Sequence, residues 1–256
     1  GFEIFFAPFP MATKGTASGN KTPEGYLSAC GRADFDALDT MAEAGGLIAA
    51  EVASLHSVHD ALKTGTVYAL MVEPMQSEGG DRYGGPRFYR ALRLLTRHHK
   101  VSMIVDEVQT GFGLGGPFSW GLSYEFVDVD GQPDLPDAMT WAKRAQVGFV
   151  SSRFEDPEPT HAHVASMVRG RLHAESIGDG STACHVQGEI APRLRGLMEQ
   201  YPDLVQGVRQ QGFAFAFDLP TPKHMLAYIK QRFWRGAVVF AAGTRTIRYR
   251  LSDTYG

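Results

Sequence analysis

An apolar run, Val101–Val105, stops abruptly on two carboxylates, Asp106 and Glu107, and a glycine-rich turn, GFGLGG at 111–116, follows shortly after. Buried parallel strands read as such uninterrupted runs, and open α/β sheets bind ligands beyond the carboxyl ends of their strands. The run therefore predicts a strand that delivers a carboxylate to a ligand-binding edge. Taken alone, the same residues also fit a strand followed by a solvated acidic turn. Upstream, Thr66–Val72 (TVYALMV) is a second apolar run, ending at Glu73-Pro74, where proline cannot continue a central ladder. Between the two, Pro86 opens a helix with Phe88, Leu92 and Leu95 on one face and Arg87, Arg90, Arg93 and Arg97 elsewhere. Strand, helix, strand in this order predicts a right-handed crossover between parallel strands, so Glu73 and Asp106 share a sheet edge. A third short run, Ala138–Ala142, ends at Lys143. Three ionisable residues then stand at three successive strand ends, and a carboxylate beside a lysine can hold a basic heterocycle and attack a carbonyl.

The rest of the chain fits an α/β protein. Ala33–His56 is rich in helix formers and broken at Gly45-Gly46, and the acidic, proline-containing loop Tyr124–Pro136 reads as surface. Helices are expected over Ala162–Glu175 and Val186–Tyr201, either side of a turn at Gly178–Ser181. Strand over Val208–Leu219, helix over Lys223–Arg235 and short strands over Ala237–Phe240 and Thr246–Arg250 then suggest a smaller α+β unit. This gives a large domain over 1–186 and a small one over 187–256. At 256 residues, 43% hydrophobic and 21% charged, the composition is that of a soluble globular protein. A net charge of -3 gives no reason to expect nucleic acid or an anionic membrane as partner. Cys30 and Cys184 are too few for a disulfide scaffold, and no apolar run is long enough to span a bilayer, so a cytoplasmic location is expected. No metal is expected, since His161, His163, His173 and His185 lack metal-ligand spacing. GFGLGG follows a strand but opens no helix, which weakens a dinucleotide-binding reading. The chain begins GFEIFFAPFP and stops at RYRLSDTYG, texture that suggests a fragment of a longer protein.

Three segments together, EPMQSEGGDRY at 73–83, IVDEVQTGFGLGG at 104–116 and WAKRAQVGF at 141–149, resemble the class III (ω-amino) aminotransferases, closest to the lysine 6-aminotransferase and GABA aminotransferase branch. The resemblance is strong over about 65–150 and weaker over 165–250. It implies a pyridoxal-phosphate-dependent transferase of the aspartate aminotransferase-like fold (fold type I). The large domain would have a mostly parallel sheet, incomplete at its N-terminus, followed by a truncated small α+β domain. It implies transfer of a terminal amino group, from lysine, GABA or a similar ω-amino donor, to 2-oxoglutarate in a homodimer.

By the same resemblance, Lys143 would form the internal aldimine with pyridoxal 5'-phosphate and shuttle the substrate proton. Asp106 would pair with the protonated ring nitrogen, Val108 pack on the ring and Gln109 bond its phenolic oxygen, with Glu73 a further acid of the pocket. Glu78 matches an acid that pairs with an arginine and switches away when a dicarboxylate binds; it also fits a solvated turn residue. Arg248 matches the arginine that grips the substrate carboxylate, and Arg250 lies on the same strand face, so either could bind carboxylate or face solvent. The chain departs from the family in several places, one being a loop from Asp106 to Lys143 several residues longer than usual. The phosphate-cup motif and the His-Gly segment have no counterpart in it. ESIGD at 175–179, with Ser176 as the nearest hydroxyl, stands where a threonine is expected. Arg144 follows Lys143 where the branch often has a second lysine. The alternative is a non-catalytic homologue or fragment of the fold that has lost the cofactor.

Overall fold

The computed structural model describes residues 3–10, 21–155 and 163–251. Three helices, α1 (Tyr26–Arg32), α2 (Phe35–Ala42) and α3 (Gly46–Leu62), precede β1 (Ala69–Val72) and the small ribbon β2 (Met75–Gln76) and β3 (Arg82–Tyr83). Then come α4 (Pro86–His99), β4 (Ser102–Asp106), β5 (Ala138–Trp141) and β6 (Phe149–Ser152). The remaining elements are α5 (Val164–Ser176), α6 (Ser181–Gln200), β7 (Gln206–Gln211), β8 (Ala214–Asp218), α7 (Pro222–Trp234), β9 (Phe240–Ala242) and β10 (Thr246–Arg250).

The first sheet has the order β1-β4-β5-β6. β1 pairs parallel with β4, and β4 with β5, so three carboxyl ends face one edge, as the sequence implied; β6 returns antiparallel beside β5. Between β1 and β4 runs α4, opened by Pro86 and stopped by Lys100 in the left-handed conformation. Its Phe88, Leu92 and Leu95 are buried in one cluster with Met103 and Val105 of β4 and Met139 and Trp141 of β5. The second sheet, β7-β8-β10-β9, is antiparallel and covers its own cluster, which includes Phe217, Met225 and Ile247. α6 links the two cores: Ala183 near its start belongs to the first and Leu194 to the second. Among the described residues no helix is long and apolar enough to cross a membrane, and no group of three or more His, Cys, Asp or Glu could hold a metal ion.

Several features differ from the sequence reading, among them α1 and the β2–β3 ribbon, where no element was expected. Val208–Leu219 is a hairpin, because Gly212 (φ 56°) turns the chain hard against the backbone of Leu114 and Gly115. β6 was not anticipated; all four of its residues are exposed, and only Phe149 and Val150 of the four are apolar. The strand expected over 237–240 lies at Phe240–Ala242. The loop 124–136 is partly buried rather than surface, with Tyr124, Phe126 and Asp134 in the interior.

Two buried charge networks fix the β4–β5 connection. Arg93 of α4 is fully buried and donates to Asp134 (2.8 Å) and Asp137 (2.6 Å), while Arg97 also grips Asp134 and Arg153 pairs with Asp137. The Asp137 carboxylate further accepts the Met103 backbone N–H at 2.7 Å, tying the start of β5 to β4. Successive strand residues point to opposite faces, so Asp106 and Glu107 part company. Asp106 stays half-buried at the edge, whereas Glu107 turns into the core and is fully buried.

The two Glu107 oxygens accept from Thr110 Oγ1 (2.8 Å), Ser119 Oγ (2.6 Å), Trp120 N (3.2 Å) and Gly121 N (2.5 Å). The glycine-rich loop is thus wound round a carboxylate of its own chain. A Cβ on Gly121 would lie 2.9 Å from Val105 Cγ1 and 3.0 Å from Glu107 Oε1, so only glycine fits there. Burial pushes the Glu107 carboxyl up, opposed by its four donors.

Removing the Arg93 guanidinium in Arg93→Met leaves the buried carboxylates of Asp134 and Asp137 only the half-exposed Arg97 and Arg153 as charge partners. It should cost roughly 3–5 kcal/mol in urea unfolding; a loss under 1 kcal/mol would show that Arg97 and Arg153 suffice. Glu107→Gln must set its NH2 against one backbone N–H, of Trp120 or Gly121, whichever way the amide turns. It should cost about 1–3 kcal/mol, and unchanged stability would show that the carboxylate does not organise the loop.

Candidate active site

The parallel register puts Asp106 of β4 opposite Thr140 of β5. Asp106 Oδ1 accepts the Thr140 hydroxyl at 3.1 Å and the Val108 backbone N–H at 2.9 Å. No described residue occupies its second oxygen with a hydrogen bond. Beyond β5 the chain enters a single 3₁₀ turn, Lys143–Ala145. Lys143 begins it in the left-handed conformation (φ 47°), and Gln146 closes it in the same region (φ 60°). Side-chain-bearing residues held there are strained by about 1–3 kcal/mol, and such residues cluster at ligand sites. The Lys143 ammonium is exposed and donates to Gln109 Oε1 at 2.6 Å. Since Gln109 accepts through its oxygen, its amide N–H groups stay available to a ligand oxygen.

Glu73, one residue past β1, is the third member of the edge. Its carboxyl is pushed up, mainly by burial and further by the Asp106 and Glu78 charges; the Ser77 N–H (3.4 Å) and Lys143 act the other way. Its position is fixed from beneath. Tyr89 of α4 stacks on Tyr124 with ring centroids 4.3 Å apart and donates to the carbonyls of Glu73 (2.9 Å) and Pro74 (2.8 Å).

A second group of charges closes over the 77–82 loop from the antiparallel sheet. Arg248 of β10 donates to Ser77 Oγ and to Glu78 Oε1, both at 2.7 Å. Two residues on, Arg250 holds Asp81 with both nitrogens, Nη1 to Oδ2 at 2.7 Å and Nη2 to Oδ1 at 2.5 Å. Arg209 of β7 donates to the Asp81 carbonyl at 2.7 Å and also to the Gly80 carbonyl. The two strand arginines that sequence left equivalent are therefore unlike. Arg250 is sealed onto a fully buried carboxylate, while Arg248 faces Glu78, whose side chain is 74% exposed.

Glu73, Asp106, Gln109 and Lys143 gather at one sheet edge, and Glu78 with Arg248 stands beside Glu73. Val108 takes part through its backbone. Thr140, Tyr89, Ser77 and Asp81 were missed, since isolated polar or aromatic residues near strand ends carry no spacing signal. Ser176 donates only to the His173 carbonyl, and Arg144 donates to the Phe112 carbonyl. His173 stacks near Phe112, His163 stands at the N-cap position of α5 with no side-chain capping bond, and His185 is exposed on α6, whereas His161 lies outside the described residues.

The donor set fits the ring of a pyridine aldehyde. Asp106 offers a free carboxylate oxygen for a protonated ring nitrogen, Lys143 an amine for the carbonyl carbon and Gln109 an amide for a ring oxygen.

The family model of class-III aminotransferases matches residues 32–173. The 4-aminobutyrate aminotransferase of Dictyostelium discoideum is 32% identical over 212 residues, 77% of this chain and 41% of that protein. The L-lysine-epsilon aminotransferase of Mycobacterium tuberculosis is 33% identical over 72% of this chain and 43% of its own length. Lysine aminotransferase from M. tuberculosis superposes with a TM-score of 0.75 at 29% identity, covering 82% of this chain and 51% of that one. The chain thus spans about half the length of the relatives it matches, or somewhat less. Its fold, with a mostly parallel first sheet, is that of the pyridoxal-phosphate-dependent transaminases, and the chain belongs to the class-III aminotransferase family.

Proposed function

We propose that this chain carries the ring-binding half of a transaminase site. That site would move a terminal amino group from an ω-amino donor, such as the lysine ε-amine or GABA, to 2-oxoglutarate. The observation that carries the reading is the 2.6 Å bond from Lys143 Nζ to Gln109 Oε1 on the same sheet edge as Asp106. Bound pyridoxal phosphate supplies the electron sink for deprotonating the amine-bearing carbon. Asp106, oriented by Thr140 and Val108 N–H, holds the proton on the ring nitrogen by opposite-charge pairing. Lys143 would be the base that takes the proton from the substrate's amine-bearing carbon and carries it during the transfer. Gln109 orients the ring through its amide, and Glu73 adds a carboxyl of raised affinity for protons at the pocket wall.

Arg248 is the binding group for a substrate carboxylate, using the planar fork that matches it. Glu78 holds that fork when no substrate is present and leaves when a dicarboxylate arrives. Only Glu78 is exposed in that pair, and Arg248 is largely buried, so the incoming carboxylate must take over the guanidinium as Glu78 leaves. Arg250 stays on Asp81. The protein works as a homodimer in the cytoplasm, and the free thiols of Cys30 and Cys184 accord with a reducing compartment.

Purified protein mixed with pyridoxal phosphate should develop a visible absorption band that shifts on adding an ω-amino donor. Lys143→Ala should abolish both. Asp106→Asn should keep the band but slow the donor-induced shift by ~10²-fold or more, the lower range for a lost proton-transfer contribution. A protein that stays colourless would identify the chain as the fold without the cofactor. A shift surviving in Lys143→Ala would show that another amine does the chemistry.

A further inference from the structure

We infer that Ser77 is a positioning residue: its buried hydroxyl keeps the Arg248 guanidinium aimed while Glu78 gives way to a substrate carboxylate. The inference rests on Arg248 being the carboxylate-binding group. Arg248 has two anchors of different kinds. Nη2 holds the largely exposed Glu78 carboxylate, which is free to swing into solvent, whereas Nη1 holds Ser77 Oγ at 2.7 Å. Ser77 is 1% exposed and cannot follow. Its carbonyl accepts from Gly80 N (3.3 Å) and Asp81 N (3.1 Å), and its own N–H reaches Glu73, so the backbone is locked into the turn.

The same oxygen accepts Arg250 Nη2 at 3.2 Å, and Arg250 is in turn held on both oxygens of buried Asp81. A serine oxygen has two lone pairs and one proton. With both lone pairs taken by arginines, the hydroxyl oxygen ties the Arg248 guanidinium to the fixed Arg250. Without this anchor, departure of Glu78 would release a long side chain with several rotatable bonds, and each carboxylate bound would have to order it again. Ser77 thus separates two arginines two residues apart into a fixed one and an exchangeable one.

The test uses purified wild type, Ser77→Ala, Ser77→Cys and Arg248→Gln, with glutarate as an unreactive dicarboxylate probe in calorimetry. Ser77→Cys keeps the volume and replaces the oxygen by a weak acceptor. Both serine variants should bind glutarate about 10-fold more weakly, the loss expected for one hydrogen bond to a charged group. The KM for 2-oxoglutarate should rise in parallel with kcat changed far less, and the thermal midpoint should hold in Ser77→Cys. Wild-type affinity for glutarate in both serine variants overturns the positioning role while leaving Arg248 in place. A fall in affinity matched by a fall in thermal midpoint in both variants also overturns it, in favour of a structural role. If Arg248→Gln binds glutarate like wild type, or wild type does not bind it, the underlying assignment of Arg248 fails as well.

Discussion

Parallel pairing of β1, β4 and β5 is the constraint on which the rest of the molecule depends. Parallel strands cannot be joined by a tight turn, so each connection must leave the sheet and return. α4 makes the first return and the Glu107-centred loop begins the second. Because all three strands run the same way, whatever follows each one emerges at the same edge. Glu73, Asp106 and Lys143 are separated by tens of residues and meet only because of this direction. A slip of one residue between β4 and β5 would carry Asp106 away from Thr140 and turn its carboxylate to the other face.

The adjacent acids Asp106 and Glu107 show how strand geometry divides chemistry. One faces the edge with an oxygen left for a ligand; the other is enclosed by four donors and organises the loop that walls the site. The arginines follow the same logic at the other sheet. Arg248 and Arg250 share a strand face, yet one faces a buried carboxylate and the other an exposed one. Fixed charges build the frame and exposed charges are left to exchange.

Much of this was legible in the sequence wherever an apolar run ended on charge. The runs before Glu73, Asp106 and Lys143 marked the strands, and Pro86 with Phe88, Leu92 and Leu95 marked α4. Side chains that break the polarity rule were not legible. Glu107 and Arg93 are charged, so sequence assigns them to solvent, and only tertiary partners explain their burial. β6 escaped for the opposite reason: its two apolar residues, Phe149 and Val150, are too short a run to mark a strand and they lie exposed. The β7–β8 hairpin was hidden because Gly212 alone marks its turn, with no Asn-Gly, Asp-Gly or Pro-Gly pair to signal it. Ser77 lies in a Gly-rich loop where serine is ordinary, and its value appears only once two arginines from another sheet arrive.

Reductive trapping tests the central claim most directly, that one sheet edge gathers a lysine and its ring-holding partners. Protein incubated with pyridoxal phosphate is reduced with borohydride, digested and mapped by mass spectrometry. The account predicts stoichiometric label on Lys143. Label spread over exposed lysines such as Lys63, Lys100, Lys223 and Lys230, with Lys143 no more modified than they are, would contradict it.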